Sequence, residues 1–550
     1  MNQSLAAHVL DTLAALGVRE LCLCAGARNS PLIVLAAQDK RFRAFSLFEE
    51  RSAAFFALGR IKAEGLPVAV ITTSGTAAGE LLPATMEAYY SGLPLVLVTA
   101  DRPRRFRGTG APQSAEQVGL LGVYVEQAWD IAEEERINMA SWSRIRPLHV
   151  NVCFDEPLLA SSAAQPQGLG SLSVPPVPPV LRELAPPDNR AAVFEALDKL
   201  REFLQASRCP IVIVGALAPS ERPPALQFLA ALGAPVILES LSGLREQPAL
   251  EPLSLCMGKD ALVPHAAQGA GVPWMDGVLR LGGVPTLRLW RDLESSLARL
   301  PLLSLSSLPF AGASRGTLVH APLSETLGPL AAQISPIRQG SRFAALLARD
   351  RVLDSALTRL LHDEPQSEPG LIHAFSRYVP EGARMYLGNS LPIREWDLAA
   401  ARAPRRLEIG ASRGLNGIDG QISTFLGFSK DDCENWALLG DLTALYDMAG
   451  PWILRQRPHL HAHIAIVNNG GGKIFDRMFA DPVFQNTHDL GFEHIARFWG
   501  LEYARWETVP AAEAVPSSPQ SLVEIVPDET ATRRFWQAYD SLALKRDGRA

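Results

Sequence analysis

Short apolar runs ending in Gly, Thr or Asp recur along this chain, separated by segments whose apolar residues fall at helical spacing. A run that is apolar at every position suits a strand buried on both faces, and the helical segments supply the cover. The alternation therefore predicts an α/β protein built from parallel, doubly wound sheets. In the first block, Leu5, Val9, Leu13 and Leu16 mark a helix that Gly17 stops. Strands follow at 21–26 (LCLCAG), 67–73 (PVAVITT), 94–99 (PLVLVT) and 148–152 (LHVNV), with helical stretches at 50–64 and from about residue 77. The second block offers strands at 211–215, 235–239, 277–282 and 302–305, and the third at 384–388, 406–410, 436–440, 463–467 and 522–526. Between the first two, Pro, Gly and Ser dominate and Pro-Pro occurs three times, which reads as a semi-extended linker. The expected domains are 1–165, 191–344 and 345–550, with the linker at 166–190.

Composition narrows the function classes. Apolar residues make up 47% and charged residues 20%, enough for an ordinary core in each domain. The net charge of −6 is a solubility charge and argues against a nucleic-acid or membrane-surface partner. No apolar run reaches the ~18 residues a membrane helix needs. The first ten residues lack a basic patch ahead of an apolar stretch, so no signal peptide is expected. Six cysteines without a Cys-x-x-Cys pair predict reduced core thiols and a cytoplasmic location.

The local signal richest in chemistry is Gly440-Asp441-Leu442 followed by Asn468-Asn469-Gly470-Gly471. Each piece sits at the carboxyl end of an expected strand, the edge where open α/β sheets bind ligands. Asp441 precedes Asn469 by 28 residues, about one strand–helix–strand crossover, so the two can meet on adjacent strand ends. A carboxylate, an amide oxygen and a glycine carbonyl are hard oxygen ligands suited to Mg²⁺. A helix starting near Leu442 would turn its N-terminus toward a diphosphate. The same residues also fit a plain strand-to-helix turn and a loop. Glu50 opens a helix rich in small residues, where an acid complements the dipole; Glu49 beside it qualifies equally. Arg102, Arg104, Arg105 and Arg107 crowd one strand end, and Arg28, Arg394 and Arg413 lie near others. Such arginines either pair with local acids or form a basin for carboxylates. His459, His461 and His463 alternate on an expected strand face, with no Cys or acid nearby to complete a metal site. Neither a Walker loop nor Gly-x-Gly-x-x-Gly occurs, and no nucleophile–base pair is evident, so a catalytic role calls for a cofactor that carries the hard chemistry.

The Gly-Asp and Asn-Asn pieces resemble the metal–diphosphate signature of thiamine-diphosphate enzymes, and the three-domain layout is similar to theirs. Within that superfamily the chain resembles the 2-succinyl-5-enolpyruvyl-6-hydroxy-3-cyclohexene-1-carboxylate synthases of menaquinone biosynthesis. The stretches that carry this are GARNSPL (26–32), EER (49–51), TSGTA (73–77), TADRP (99–103), GNSLPIRE (388–395), SRGLNGIDG (412–420), GDLTALYD (440–447) and NNGGGKIF (468–475). They span both outer domains; the central domain carries little of the match.

The resemblance implies pyrimidine-binding, central and diphosphate-binding domains, with thiamine diphosphate and Mg²⁺ or Mn²⁺ as cofactors. It implies Glu50 as the acid on the aminopyrimidine N1′, and Asp441, Asn469 and the Gly471 carbonyl as metal ligands. Cofactor contacts would include Ser74, Gly75, Thr76, Gly440, Leu442, Ile474 and Phe475, with Ile418 as the apolar prop that bends the cofactor. Arg28, Arg102, Gln113, Ser390, Arg394 and Arg413 fall where the family contacts its substrates, 2-oxoglutarate and isochorismate. The family also implies a homo-oligomer, dimer or tetramer, with active sites shared between chains. Two positions depart from its usual pattern: Leu442 replaces the superfamily's common Gly, and Ala27 replaces Ser before Arg28. A different thiamine-diphosphate decarboxylase or ligase, and a catalytically silent scaffold of the same fold, are the competing readings.

Overall fold

The computed structural model describes residues 2–138, 141–159, 190–257, 275–337, 340–479, 481–510 and 517–544. The Pro-rich segment expected at 166–190 lies outside these residues, except for Arg190, which opens the helix Arg190–Ala206.

Three sheets form, each parallel throughout. The first uses β1 (Glu20–Leu23), β2 (Arg43–Ser46), β3 (Val68–Thr72), β4 (Leu95–Asp101), β5 (Gln127–Ala132) and β6 (Leu148–Cys153), in the order β2-β1-β3-β4-β6-β5. The central sheet uses β7 (Pro210–Val214), β8 (Val236–Leu238), β9 (Gly277–Leu281), β10 (Leu302–Ser306) and β11 (Thr317–His320), in the order β11-β10-β9-β7-β8. The third uses β12 (Arg384–Leu387), β13 (Glu408–Gly410), β14 (Asn435–Gly440), β15 (Ala462–Val467), β16 (Glu502–Trp506) and β17 (Gln520–Ile525), in the order β13-β12-β14-β15-β17-β16. The outer sheets thus share one topology: β3 and β4 correspond to β14 and β15.

Four strands have no counterpart in the expectation: β2, β5, β11 and β16. Each is the edge of its sheet. Interior strands such as β3 and β4 are buried along their whole length, whereas β2 and β11 each bury a single residue. These four edge strands therefore lack the continuous apolar run that marks the interior strands, whereas β8 and β13, also edges, fall within expected runs.

The first and third domains share a core. Phe55, Phe56 and Leu58 join Phe425, Leu426 and Phe428 in one buried cluster. At its centre the helix Glu50–Glu64 crosses the helix Gln421–Phe428, its counterpart in the third domain. The crossing is made by two glycines. A Cβ on Gly59 would stand 2.1 Å from the Thr424 carbonyl oxygen, and one on Gly427 would stand 2.1 Å from the Phe56 carbonyl oxygen. On an open helix, Gly→Ala stabilises by roughly 1 kcal/mol. Here overpacking, typically about 1–3 kcal/mol, opposes it and wins because the obstacle is backbone. Gly59→Ala and Gly427→Ala should each lower the melting temperature; an unchanged or raised value would disprove the close crossing.

Polar contacts fix the same interface. The Asp447 carboxylate, which burial raises to a pKa of about 6, accepts from Ser52 Oγ at 3.2 Å and from Ser423 N at 2.7 Å. Glu87, on the helix Leu82–Ser91, reaches across to accept from Gly414 N and Leu415 N, both at 2.8 Å. Among the described residues no helix is long and apolar enough to cross a membrane. All six cysteines are free; Cys22, Cys24 and Cys153 are buried as expected of core thiols, but Cys209, Cys256 and Cys433 are partly exposed.

Candidate active site

The carboxyl ends of β14 and β15 bring two distant segments together. Gly440 ends β14, and Asp441 begins the helix Asp441–Tyr446, which is only six residues long. Asn468 to Gly472 leave β15 as a loop. Asp441 is 3% exposed; its Oδ2 accepts from Gly471 N at 2.8 Å and its Oδ1 from Leu442 N at 2.6 Å. Burial raises its carboxyl pKa, and His488 Nε2 stands 3.3 Å from Oδ2. Gly471 has φ +135°, and a Cβ there would meet the Gln485 carbonyl at 2.5 Å, so only glycine fits. Its carbonyl accepts from Lys473 N at 2.9 Å, leaving a second lone pair.

These residues suit a divalent cation. Asn469 Oδ1 is buried without a hydrogen-bond partner. It therefore adds an uncommitted hard oxygen to the buried Asp441 carboxylate. Beside them, a Cβ on Gly440 would meet only Thr443 Oγ1, at 3.8 Å, so the chain's own packing leaves room there for a ligand. Ile474 and Phe475 continue the loop in the short turn Lys473–Phe475, with Phe475 exposed.

A second cluster gathers at the ends of β12 and β13. Asn389 Nδ2 donates to the Ser412 and Gly417 carbonyls at 2.8 and 2.7 Å, and Asn389 Oδ1 accepts from Arg413 at 2.7 Å. Ser390 has φ +72°, and its carbonyl accepts from Arg394. Burial lowers the pKa of both Arg394 and Arg413. Neither makes an ion pair among the described residues, and Arg413 Nε is buried without a partner. Ile418 is half-buried on the loop that Asn389 and Glu87 hold. A cavity of about 290 Å³ separates this loop at Ser412, Leu415 and Gly417 from Phe55 and Met86 of the first domain.

The third cluster lies at the ends of β3 and β4. Gly75 has φ +85° and donates to Gln117 Oε1 at 2.7 Å. Arg102 donates to Ser74 Oγ at 3.2 Å and to the Gln113 carbonyl at 3.1 Å. Thr76, the first residue of the helical turn Thr76–Gly79, is exposed. The four-arginine basin does not form. Arg104 pairs with Asp130 and Glu135, Arg105 with Asp155, and Arg107 with Asp130 and Asp101. Of the four, Arg102 is the one whose guanidinium bonds only neutral groups among the described residues. Arg28 pairs with the exposed Glu156 at 3.3 Å.

The structure also separates Glu49 from Glu50. Glu49 is the helix N-cap, its carboxylate accepting from Arg51 N at 3.1 Å and Ser52 N at 2.8 Å. Glu50 is free of that duty, and burial raises its pKa. It does not join Asp441. No hydrogen bond links the two among the described residues, and burial raises the pKa of each. The histidines make no metal site: His463 is buried, stacked on Trp436, and shares Glu434 with the exposed His461. The acid expected to be missing there is Glu434, and it serves as their hydrogen-bond partner.

Sequence reasoning passed over Asn389, Gln117 and Glu368. The first lies inside the quoted stretch 388–395, and the second at the end of GAPQSAEQ. Glu368, bonded to Asn469, lies in no such stretch and leaves no local signal.

This fold, with its clusters at matching ends of two like sheets, is that of the thiamine-diphosphate enzymes. Residues 3–120 match the family described as thiamine pyrophosphate enzyme, N-terminal TPP binding domain. A solved structure described as that of a thiamin diphosphate-dependent enzyme from Mycobacterium smegmatis superposes with a TM-score of 0.67 over 95% of this chain and 99% of that one. At 17% identity, that likeness speaks for the fold alone. The chain belongs to the family of 2-succinyl-5-enolpyruvyl-6-hydroxy-3-cyclohexene-1-carboxylate synthases. It is 41% identical to the synthase of that name from Bdellovibrio bacteriovorus, over 98% of this chain and 99% of the relative. It is 37% identical to the one from Akkermansia muciniphila, over 94% and 95%.

Proposed function

We propose that this chain joins 2-oxoglutarate to isochorismate with loss of CO₂, giving 2-succinyl-5-enolpyruvyl-6-hydroxy-3-cyclohexene-1-carboxylate, with thiamine diphosphate and Mg²⁺ or Mn²⁺ as cofactors. The observation that carries the reading, beside family membership, is the pair of cations Arg394, exposed, and Arg413, half-buried, neither of which makes an ion pair among the described residues. Both substrates are dicarboxylates. The carboxylate that leaves as CO₂ should stay loosely held, because pairing it would stabilise the ground state. The other carboxylates need cationic partners in a closed site.

Thiamine diphosphate, when bound, supplies the electron sink for decarboxylation and carbon–carbon bond formation. The chain's residues bind and orient. In this reading Asp441, Asn469 and the Gly471 carbonyl hold the metal, and Gly440 and Leu442 border the diphosphate. Ser74, Gly75, Thr76, Ile474 and Phe475 contact the cofactor, and Ile418 props it. Glu50 holds a proton at the pyrimidine N1′, a role its burial-raised pKa supports. Arg28, Arg102, Gln113 and Ser390 complete the substrate contacts.

The reading places each site between two chains of a dimer or tetramer. Within one chain, Ser52 meets Asp447, just past the far end of the helix that Asp441 begins.

Mass spectrometry of products formed from 2-oxoglutarate, isochorismate, thiamine diphosphate and Mg²⁺ tests the assignment. Turnover of pyruvate in preference to 2-oxoglutarate would replace it with another decarboxylase. Arg394→Ala and Arg413→Ala should each cost roughly 1.5–3 kcal/mol, more than tenfold in kcat/KM for a dicarboxylate. Wild-type constants for both substrates would remove these arginines from the site.

A further inference from the structure

Glu368 is the first residue of the helix Glu368–Tyr378 and is 3% exposed. Both of its oxygens accept from Asn469 Nδ2, at 3.0 Å each. An ionised carboxylate has only acceptors, so it selects the nitrogen end of the amide and turns the oxygen end away. That oxygen, Asn469 Oδ1, is the buried atom left without a partner. An orphaned buried acceptor typically costs about 1–3 kcal/mol, and the Glu368 contact is what holds it in that state.

We propose that Glu368 is a positioning residue for the metal: it locks the Asn469 amide in the one orientation that presents oxygen, rather than nitrogen, to a divalent cation held with Asp441. The inference rests on the metal-ligand reading above. It adds a residue more than 100 positions from the ligand it orients, on a helix that carries no other part of the site.

Exchanging the two side-chain types tests this. In Glu368→Gln the new amide can offer Asn469 either a donor or an acceptor, so the orientation is no longer selected. In Asn469→Asp two carboxylates face each other. There residue 469 presents oxygen to the metal whichever way it turns, so its orientation no longer matters, with or without Glu368. The probe is Mn²⁺, followed by the electron paramagnetic resonance signal of the free ion, with full-length protein and thiamine diphosphate. Glu368→Gln should weaken Mn²⁺ binding by roughly 10–100-fold, the usual cost of losing a partner that orients a ligand. In the Asn469→Asp background, adding Glu368→Gln should change the affinity by less than about threefold, because no nitrogen end is left to exclude. Saturable uptake by the wild-type protein with equal affinity in Glu368→Gln overturns the inference and leaves the metal reading standing. No cofactor-dependent uptake by the wild-type protein overturns both. If Glu368→Gln fails to fold, Glu368→Asp, which withdraws the carboxylate from the amide, is measured in its place, and Mn²⁺ affinity equal to wild type overturns the proposal.

Discussion

Glu50→Gln should slow exchange of the cofactor C2 proton by about 10²–10⁴-fold, the usual share of a positioned acid–base group, while much of the cofactor affinity survives. The expectation has a structural basis beyond the family pattern. Of the two adjacent acids, Glu49 is consumed as a helix cap. Glu50 keeps its carboxyl available, in an environment whose burial favours the protonated form. A glutamine there still fills the space and can still hydrogen-bond, but it cannot pass a proton to and from the pyrimidine ring. Binding survives in this reading because the diphosphate and metal contacts lie at the other end of the cofactor. The measurement is deuterium exchange at C2 by rapid quench and NMR. Exchange at the wild-type rate in Glu50→Gln would exclude the role.

Mixing two inactive variants should restore activity. Glu50→Ala and Asp441→Ala each remove one half of every site if the first domain of one chain serves the third domain of another. In a mixed dimer, one interface collects both lesions and the other collects neither. Random 1:1 mixing makes about half the dimers mixed, each with one intact site of two, so activity should return to about a quarter of wild type. If Glu50 and Asp441 instead served one site within a chain, every site would retain a lesion. No recovery, once subunit exchange has been verified by mass-tagged chains, rules out the shared site.

The interior of the fold was legible because a strand buried on both faces must be apolar throughout. β3, β4 and β14 announce themselves, while β2 and β11, buried at a single residue each, do not. The meeting of Asp441 with the Asn469 loop was legible for a related reason: one crossover between adjacent strands fixes the spacing. Choosing between Glu49 and Glu50 was not, since both sit at the same helix start and only the cap geometry tells them apart. The arginine cluster at 102–107 shows the limit of composition. Three of the four find acids on segments 23 to 50 residues away, and no spacing rule foretells which one remains uncommitted. Glu368 is the extreme case, because a carboxylate that orients a ligand needs only to arrive in space.

The glycine crossing between the outer domains also bears on how this chain can vary. Second-site compensation usually works because a bulkier residue at one position is relieved by a smaller one opposite. At Gly59 and Gly427 that route is closed, for the atoms in the way are the carbonyl oxygens of Thr424 and Phe56, which every residue type carries. The two sites should therefore act as independent fixed points rather than as a co-varying pair, and sequence covariation, which finds contacts through paired change, would miss this close contact between the two domains.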